Sequence, residues 1–346
     1  MVKRLTNISP TIKDVAKKAG VSIATVSLAI HKNKRISTVT RNKVLRAVRE
    51  LNYHPSRSAK GLVTKTTGNI GFVLTEDHFL KTEPFYTMIF LGTEFVTKGN
   101  HYYVLLATIK KDYKESDDLP RFILERSVDG VIVAGKVSHI FIQKLSKYNI
   151  PLVIVDYHLP TDEHCVVMID NITGGYNATK HLIDLGHKEI AFIGADVTHP
   201  SISGRLMGFK QALENHGIEI KQQNIITDED YPDRQNGYNA AKRLSEINKN
   251  ITAIFTCNDA MAIGVMQYCS DNRINIPGDI SLVGFDDVEA DLLLNPPLTT
   301  IRVPKVELGI EAMNAMVNLL ADKSNYRAKK ILVPVELIVR NSTRQI

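Results

Sequence analysis

The chain reads as an α/β protein: an N-terminal helix-turn-helix headpiece followed by a two-lobed body on two doubly wound parallel sheets. Three observations predict this. A tight helix–Gly–helix pattern runs from Thr11 to Ile30. The remainder alternates short apolar runs with amphipathic stretches, the rhythm of βαβ units. Charge divides between the two parts: residues 1–67 hold fifteen Lys or Arg and two acids, a net +13, whereas the rest hold 28 basic and 35 acidic residues, a net −7. A basic head on an acidic body is the asymmetry expected when only the head meets phosphates.

In the headpiece, Thr11 precedes a helical run whose third residue is Asp14, as in a capping box. Gly20 stands where a helix C-terminus needs positive φ, and Ser22 caps a second helix two residues later. So short a turn makes two helices cross steeply. On the second helix Val26, Ala29 and Ile30 share one face, with Val15, Ala16, Ala19 and Val21 available to pack against it. Ala24 and Leu28 fall on the opposite face, Ser27 lies beside them and Ile23 flanks the helix start. A third helix, opened by Thr38 or Thr40, supplies Val44, Val48 and Leu51 to close a small core. Lys3, Arg4, Lys32, Lys34, Arg35, Arg41 and Arg57 are candidate phosphate partners, which set affinity and register but not sequence preference.

The apolar runs of the body are Ile70–Leu74, Val104–Ala107, Val131–Ala134, Leu152–Val155, Ile190–Ile193, Ala253–Phe255 and Leu282–Val283, with helical stretches at 171–186, 204–216, 236–247 and 258–272. About 280 residues exceed one ordinary core, so two subdomains are expected, with ligands outside the carboxyl ends of the strands. Cys165, Cys257 and Cys269 lack zinc or redox spacing and read as buried thiols. The acids Asp228 to Asp230 read as surface residues. No P-loop, nucleophile elbow or HExxH is present, so no cofactor, metal or catalytic residue is assigned. The absence of a signal peptide or membrane-length apolar span points to the cytoplasm, with the nucleoid as workplace and no membrane partner.

Residues 11–62 resemble the headpiece and hinge of the lactose repressor/galactose repressor family. The segment from Asn52 to Leu62 is similar to the family's Asn-Tyr-x-Pro-Asn-x-x-Ala-Arg-x-Leu hinge. The resemblance implies a hinge helix that folds on operator DNA, pairs with its copy in the minor groove and inserts Leu62 between central base pairs; a linker residue packed on the body is the other reading of Leu62. It also implies DNA contacts by Thr11, Ser22, Ile23, Ala24, Thr25, Ser27, Leu28, Arg35, Ser56, Ala59, Lys60 and Leu62. Two departures matter. Lys60 replaces the usual arginine and lacks its forked donors, and Gly61 weakens an isolated hinge helix by about 0.5–1 kcal/mol. The base-reading positions Ile23, Ala24 and Leu28 are apolar and cannot make bidentate bonds to guanine or adenine, so thymine methyls and groove shape are left to carry readout.

The body is similar to the family's periplasmic-binding-protein-like regulatory domain. The matching landmarks include Val128-Asp-Gly-Val-Ile132, Ile169-Asp-Asn-x-x-Gly174, Gly204-Arg205-x-x-Gly208-Phe209, Cys257-Asn-Asp-x-Met-Ala262 and Ser281-Leu-Val-Gly-Phe-Asp-Asp287. The implied organisation is a headpiece at 1–54, a hinge at 55–67 and an effector-binding and dimerisation domain at 68–346. Its first lobe would span about 68–160 and 290–320, its second about 161–289 and 321–340, with three crossings between them. The implied effector contacts are Phe85, Tyr86, Asp156, Tyr157, His199, Arg205, Asn258 and Asp286; Arg205 pairing with an acid, Asp286 capping a helix and the aromatics serving as core are the structural alternatives. Around Thr75–Tyr86 two added acids and a histidine depart from the family's shorter turn.

The expected function is a ligand-switched regulator, most simply a repressor, binding a pseudo-palindromic double-stranded operator as a homodimer or higher oligomer. A sugar or sugar derivative is the favoured effector and a purine or other nucleobase the runner-up; inducer and corepressor are the same linkage with opposite sign. An activator of the same architecture, a solute receptor and a sugar-directed enzyme are the rivals. The headpiece opposes the second, and the missing nucleophile–base set opposes the third.

Overall fold

The computed structural model describes residues 10–30, 35–53, 66–77, 84–159, 164–322 and 328–346, and the chain divides into two compact units, Met1–Thr67 and Gly68–Ile346. The first unit holds helices α1 (Ile12–Ala19), α2 (Ile23–Ile30) and α3 (Thr38–Glu50). The Asp14 carboxylate accepts from the Thr11 N–H at 2.8 Å and the Thr11 hydroxyl at 2.7 Å. Gly20, at φ 63°, ends α1: its N–H reaches the Lys17 carbonyl at 3.3 Å while that of Val21 reaches Ala16 at 3.1 Å, a Schellman closure. Ser22 Oγ then accepts from the Thr25 N–H at 3.1 Å. The cap of α3 is Ser37, whose Oγ accepts from Thr40 N–H at 3.2 Å, and not Thr38 or Thr40 as expected; the ψ of Ser37, 151°, is extended, and Thr38 is already the first helical residue. Val15, Val26 and Val44 are fully buried, and Tyr53 closes the same core from beyond α3.

The second unit is two six-stranded sheets. Sheet A contains β1 (Asn69–Thr75), β2 (Tyr103–Ile109), β3 (Gly130–Ala134), β4 (Leu152–Val155), β5 (Cys165–Ile169) and β11 (Lys330–Val333), all parallel in the order β11-β5-β4-β3-β1-β2. Sheet B contains β6 (Ile190–Ala195), β7 (Ile225–Glu229), β8 (Ala253–Thr256), β9 (Ser281–Asp286), β10 (Thr299–Arg302) and β12 (Glu336–Ile338), in the order β12-β10-β9-β8-β6-β7, with β12 antiparallel to β10. Both faces of sheet A are covered: on β1, Ile70, Phe72 and Leu74 join one apolar cluster and Val73 the other. The helices are α4 (Phe85–Asn100), α5 (Arg121–Leu124), α6 (His139–Ser146), α7 (Asn171–Asp184), α8 (Pro200–Asn215), α9 (Arg234–Ile247), α10 (Asp259–Asp271) and α11 (Lys305–Ala321).

The expected lobe boundaries need correction. β5 pairs with β4, so residues 165–169 belong to lobe 1, not lobe 2. β10 pairs with β9, which puts 299–302 in lobe 2, and β11 pairs with β5, which puts 330–333 in lobe 1. Among the described residues the chain therefore passes between lobes at about 170, 303–304 and 334–335. Each crossing lies later than expected, because an apolar run shows that a strand exists but not which sheet edge it joins.

The C-terminal residues stitch lobe 2 together. Ser342 Oγ accepts from Thr299 N–H at 2.8 Å and donates to the Leu282 carbonyl at 2.6 Å, and the Arg344 N–H reaches Ser281 Oγ at 3.0 Å. Buried His187 sits behind them, with Nδ1 2.9 Å from Thr252 Oγ1 and Nε2 2.9 Å from Ser281 Oγ. Burial holds its pKa below the ordinary 6.5, and His181 is lowered for the same reason. The unfolded chain then binds protons that the folded one does not, so this contribution is complete above about 6.5 and lost as pH falls below it. Denaturant unfolding on either side of that pH is expected to show a shallower acid loss in His187→Gln than in the parent chain, with His181 supplying the remainder. An unchanged slope would place the acid sensitivity elsewhere.

Candidate effector site and DNA-binding headpiece

Both sheets reverse strand order at one point, between β1 and β3 in sheet A and between β6 and β8 in sheet B. The residues leaving these strands line one cleft of about 250 Å³ between the lobes. Lobe 1 supplies Thr75, Lys136 and Asp156; lobe 2 supplies Asp196, Tyr231 and Asn258. Three aspartates at the strand ends hold positive φ: Asp156 at 57°, Asp286 at 120° and Asp287 at 54°. Non-glycine residues persist there only where their surroundings over-determine them, and such residues cluster at binding sites.

Arg205 is the best-anchored side chain in the cleft. It is 5% exposed; its Nε donates to Asn171 Oδ1 at 2.9 Å and its Nη1 to the Cys257 carbonyl at 2.5 Å. Nη2 lies 3.5 Å from Asp286 Oδ1, and the guanidinium stacks 3.7 Å from the Phe285 ring centroid. The helix carrying it is seated by glycines: a Cβ on Gly175 would lie 2.2 Å from the Arg205 carbonyl oxygen, and one on Gly208 would lie 2.1 Å from that of Ile172. Burial raises the Asp286 carboxyl to about 7; Arg205 and Lys305 oppose the shift, and Asp259 and Asp156 add to it. In lobe 1, Tyr86 donates to Asp156 Oδ2 at 2.9 Å, and across the cleft Ser201 donates to Asp156 Oδ1 at 2.8 Å. Burial and the Asp156 charge hold the Tyr86 phenol well above its ordinary range, so it stays a donor. Burial likewise pushes the Cys257 thiol up to about 12, which leaves it protonated and unsuited to nucleophilic work.

Among the described residues, three buried oxygens of the lining have no hydrogen-bond partner: Thr75 Oγ1, Asp77 Oδ1 and Asp286 Oδ1. Each such group costs roughly 1–3 kcal/mol. A ligand carrying several O–H or N–H donors would recover part of that.

Of the expected effector residues, the structure brings Phe85, Tyr86, Asp156, His199, Arg205, Asn258 and Asp286 to the cleft wall. Tyr157 is the exception: its ring lies against His199 at 5.9 Å and packs on the lobe 1 core outside the lining. Asn258 also caps α10, accepting from Met261 N–H at 2.9 Å, and donates to the Pro232 carbonyl at 2.8 Å. His199 caps α8, with Nδ1 accepting from Ser201 N–H at 3.3 Å. The acids read as surface divide: Arg243 grips Asp228 and Glu229, whereas Asp230 lines the cleft. Tyr231, Lys111, Lys136 and Asp196 line it too and were not expected. Lys111, Lys136 and Asp196 each come within two residues of the end of an apolar run, whereas Tyr231 follows the acids Asp228 to Asp230 and carries no such signal.

In the headpiece, Ile23 is 44% exposed and Ala24 and Arg35 are exposed, while Thr25, Ser27 and Leu28 are half-buried. Thr11 and Ser22 serve as caps, and Thr25 Oγ1 lies 2.9 Å from Ser22 Oγ. Glu50 engages Lys18 and Arg46, each at 3.0 Å. Lys3, Arg4, Lys32, Lys34, Ser56, Arg57, Ala59, Lys60 and Leu62 lie outside the described residues.

A family model described as bacterial regulatory proteins, lacI family, matches residues 11–56, and one for a periplasmic binding protein-like domain matches residues 179–343. The HTH-type transcriptional repressor PurR of Haemophilus influenzae is 33% identical over 340 residues, covering 97% of this chain and 99% of that protein. A solved complex of the transcriptional regulator CelR with cellobiose superposes with a TM-score of 0.73 at 28% identity, covering 96% of this chain and 99% of that one. The lac repressor dimer bound to operator and the anti-inducer ONPF has a TM-score of 0.80 at 24% identity over 97% and 99% of the chains, a likeness of fold.

The close approach at Gly175 makes a direct test of how Arg205 is held. Gly175→Ala is expected to lower the stability of the body by roughly 1–3 kcal/mol in urea unfolding. Gly99→Ala, at a site with no atom within 4 Å of the added Cβ, is expected to be neutral or stabilising by up to about 1 kcal/mol.

Proposed function

Because this chain belongs to the lacI family of bacterial regulatory proteins, we propose that it is a repressor whose grip on a pseudo-palindromic operator is set by a neutral polyhydroxyl effector, a sugar or sugar derivative, bound between the two lobes. The observation that carries this reading is that, among the described residues, buried oxygens on Thr75, Asp77 and Asp286 have no hydrogen-bond partner, Asp286 Oδ1 being approached only by Arg205 at 3.5 Å. Sugar hydroxyls are donors of the required kind, and Arg205 and Asn258 add donors of their own. Charge narrows the class. Five aspartates line the cleft, and two of its three Lys and Arg are engaged, Lys136 by Asp196 and Arg205 by Asp286. A phosphorylated or carboxylated ligand would meet net repulsion. The solved relative that carries cellobiose supports the same class.

A nucleobase is the second reading, favoured by Tyr231, whose ring is in the lining and has the Lys111 ammonium 5.5 Å from its centroid. Regulation without turnover fits a cleft whose thiol is held protonated. Among the described residues no helix is long and apolar enough to cross a membrane. Operation as a homodimer, with hinge helices paired on DNA, is part of the same proposal, and so is work on the nucleoid.

A thermal-shift screen against neutral sugars, sugar phosphates and nucleobases tests the reading. A ligand at 100 times its Kd stabilises the fold by about 2.7 kcal/mol. We expect a neutral sugar to score, the shift to vanish in Arg205→Ala, and operator affinity measured by fluorescence anisotropy to change in its presence. A hit confined to nucleobases would select the second reading. Titration calorimetry adds a pH test: because ionised Asp286 is the better acceptor, affinity should rise as pH climbs through about 7 and level off above it. In Asp286→Asn that dependence should be flat.

A further inference from the structure

Lys136 occupies the rim of the cleft on the turn after β3, held there by Gly135 at φ 75°. Its ammonium leaves lobe 1 altogether: it donates to Asp196 Oδ2 at 2.9 Å and to Thr198 Oγ1 at 2.7 Å, both on the loop after β6 in lobe 2. That loop is braced to receive it, since Asp196 Oδ1 accepts from the Thr198 N–H at 2.9 Å. Despite partial desolvation, the Thr198 and Lys136 hydrogen bonds bring the Asp196 carboxyl down to about 2. Among the described residues other contacts also join the lobes: Ser201 donates to Asp156 in a buried position, Lys111 faces the Tyr231 ring, Tyr157 lies against His199, and beside the 303–304 crossing the Lys305 ammonium donates to the Asp286 and Asp287 carbonyls. Lys136 thus makes a charge-assisted, two-acceptor bond across the cleft at a half-exposed rim, where a ligand entering or leaving must pass.

We propose that Lys136 is a clamp that closes the two lobes on each other before any effector arrives, so that the ligand-free protein rests mainly closed and an effector must release or replace the clamp to enter. Two consequences follow from its position. Both partners are about 40% exposed, so salt screens the bond and opens the resting state. An effector's apparent affinity is also reduced by whatever fraction of the protein is clamped shut. The second consequence rests on the effector reading above; the first does not.

The test therefore needs no effector. Spin labels on Lys147→Cys in lobe 1 and Gln223→Cys in lobe 2, both exposed positions, would report the distance between lobes by double electron–electron resonance in the full chain, the three native cysteines being buried. We expect one dominant distance at low salt, and a displaced or broadened distribution in Lys136→Met and in Asp196→Asn. The double variant should go no further than either single one, the non-additivity of a direct pair. High salt should move the parent protein the same way and leave the variants unmoved, while Lys136→Arg should retain closure. A distribution unchanged in Lys136→Met, or single effects that add, would overturn the clamp. Neither result touches the sugar screen, so the two readings fail separately.

Discussion

A guanidinium taken out of water has to be met by acceptors and a ring face on all sides, and Arg205 meets that demand by drawing four residues of three separate segments together. Asn171 opens α7, Cys257 follows β8, and Phe285 and Asp286 end β9. None of the four is near Arg205 in sequence. The helix that presents Arg205 sits as close to α7 as backbone allows, because only hydrogen occupies the Cβ positions of Gly175 and Gly208. The ion pair with Asp286 stays at 3.5 Å and leaves Oδ1 without a hydrogen bond. Two of the three cationic side chains of the cleft thus meet carboxylates of the protein, whereas among the described residues three of its buried oxygens have no hydrogen-bond partner. That pairing of an anchored donor with incompletely bonded acceptors is what the proposed effector reading rests on.

Several contacts cross between the lobes at this cleft. Asp156 ties Tyr86 of lobe 1 to Ser201 of lobe 2, and Lys136 reaches Asp196 and Thr198 at the rim. On the proposed reading a ligand in the cleft would touch these groups, and a ligand shifts a balance between two arrangements only by its differential affinity for them. Lobe 1 also holds the start of the body: the Gly68 N–H donates to Asp129 Oδ2 at 2.8 Å, and its carbonyl accepts from Tyr103 N–H at 2.9 Å. These bonds fix Gly68, the first residue of the body, to lobe 1.

How much was legible depended on how local the interaction was. Thr11 with Asp14, Gly20 and Ser22 act over three or four residues, and all three features stand where residue chemistry put them. The cap of α3 is Ser37 and not Thr38 or Thr40, because serine and threonine compete for the position and only backbone ψ, 151° at Ser37, separates cap from helix. Tyr157 and Asp156 are chain neighbours, yet the aspartate turns into the cleft at φ 57° while the tyrosine packs beside His199. Asp230 looked like one acid in a solvated run, but Arg243 takes its two neighbours and leaves it at the cleft edge.

Residue types and spacing were enough for the two-part plan, the charge division and the parallel-sheet class, since caps and periodicity are short-range properties; the strand-end residues of the cleft were named through the family resemblance. Sheet order, the three crossing points and the partnership of Lys136 with Asp196, sixty residues apart, emerged only once the chain was folded. An apolar run has the same appearance whichever sheet edge it joins. A charged side chain carries no mark of its partner until packing decides which one is within reach.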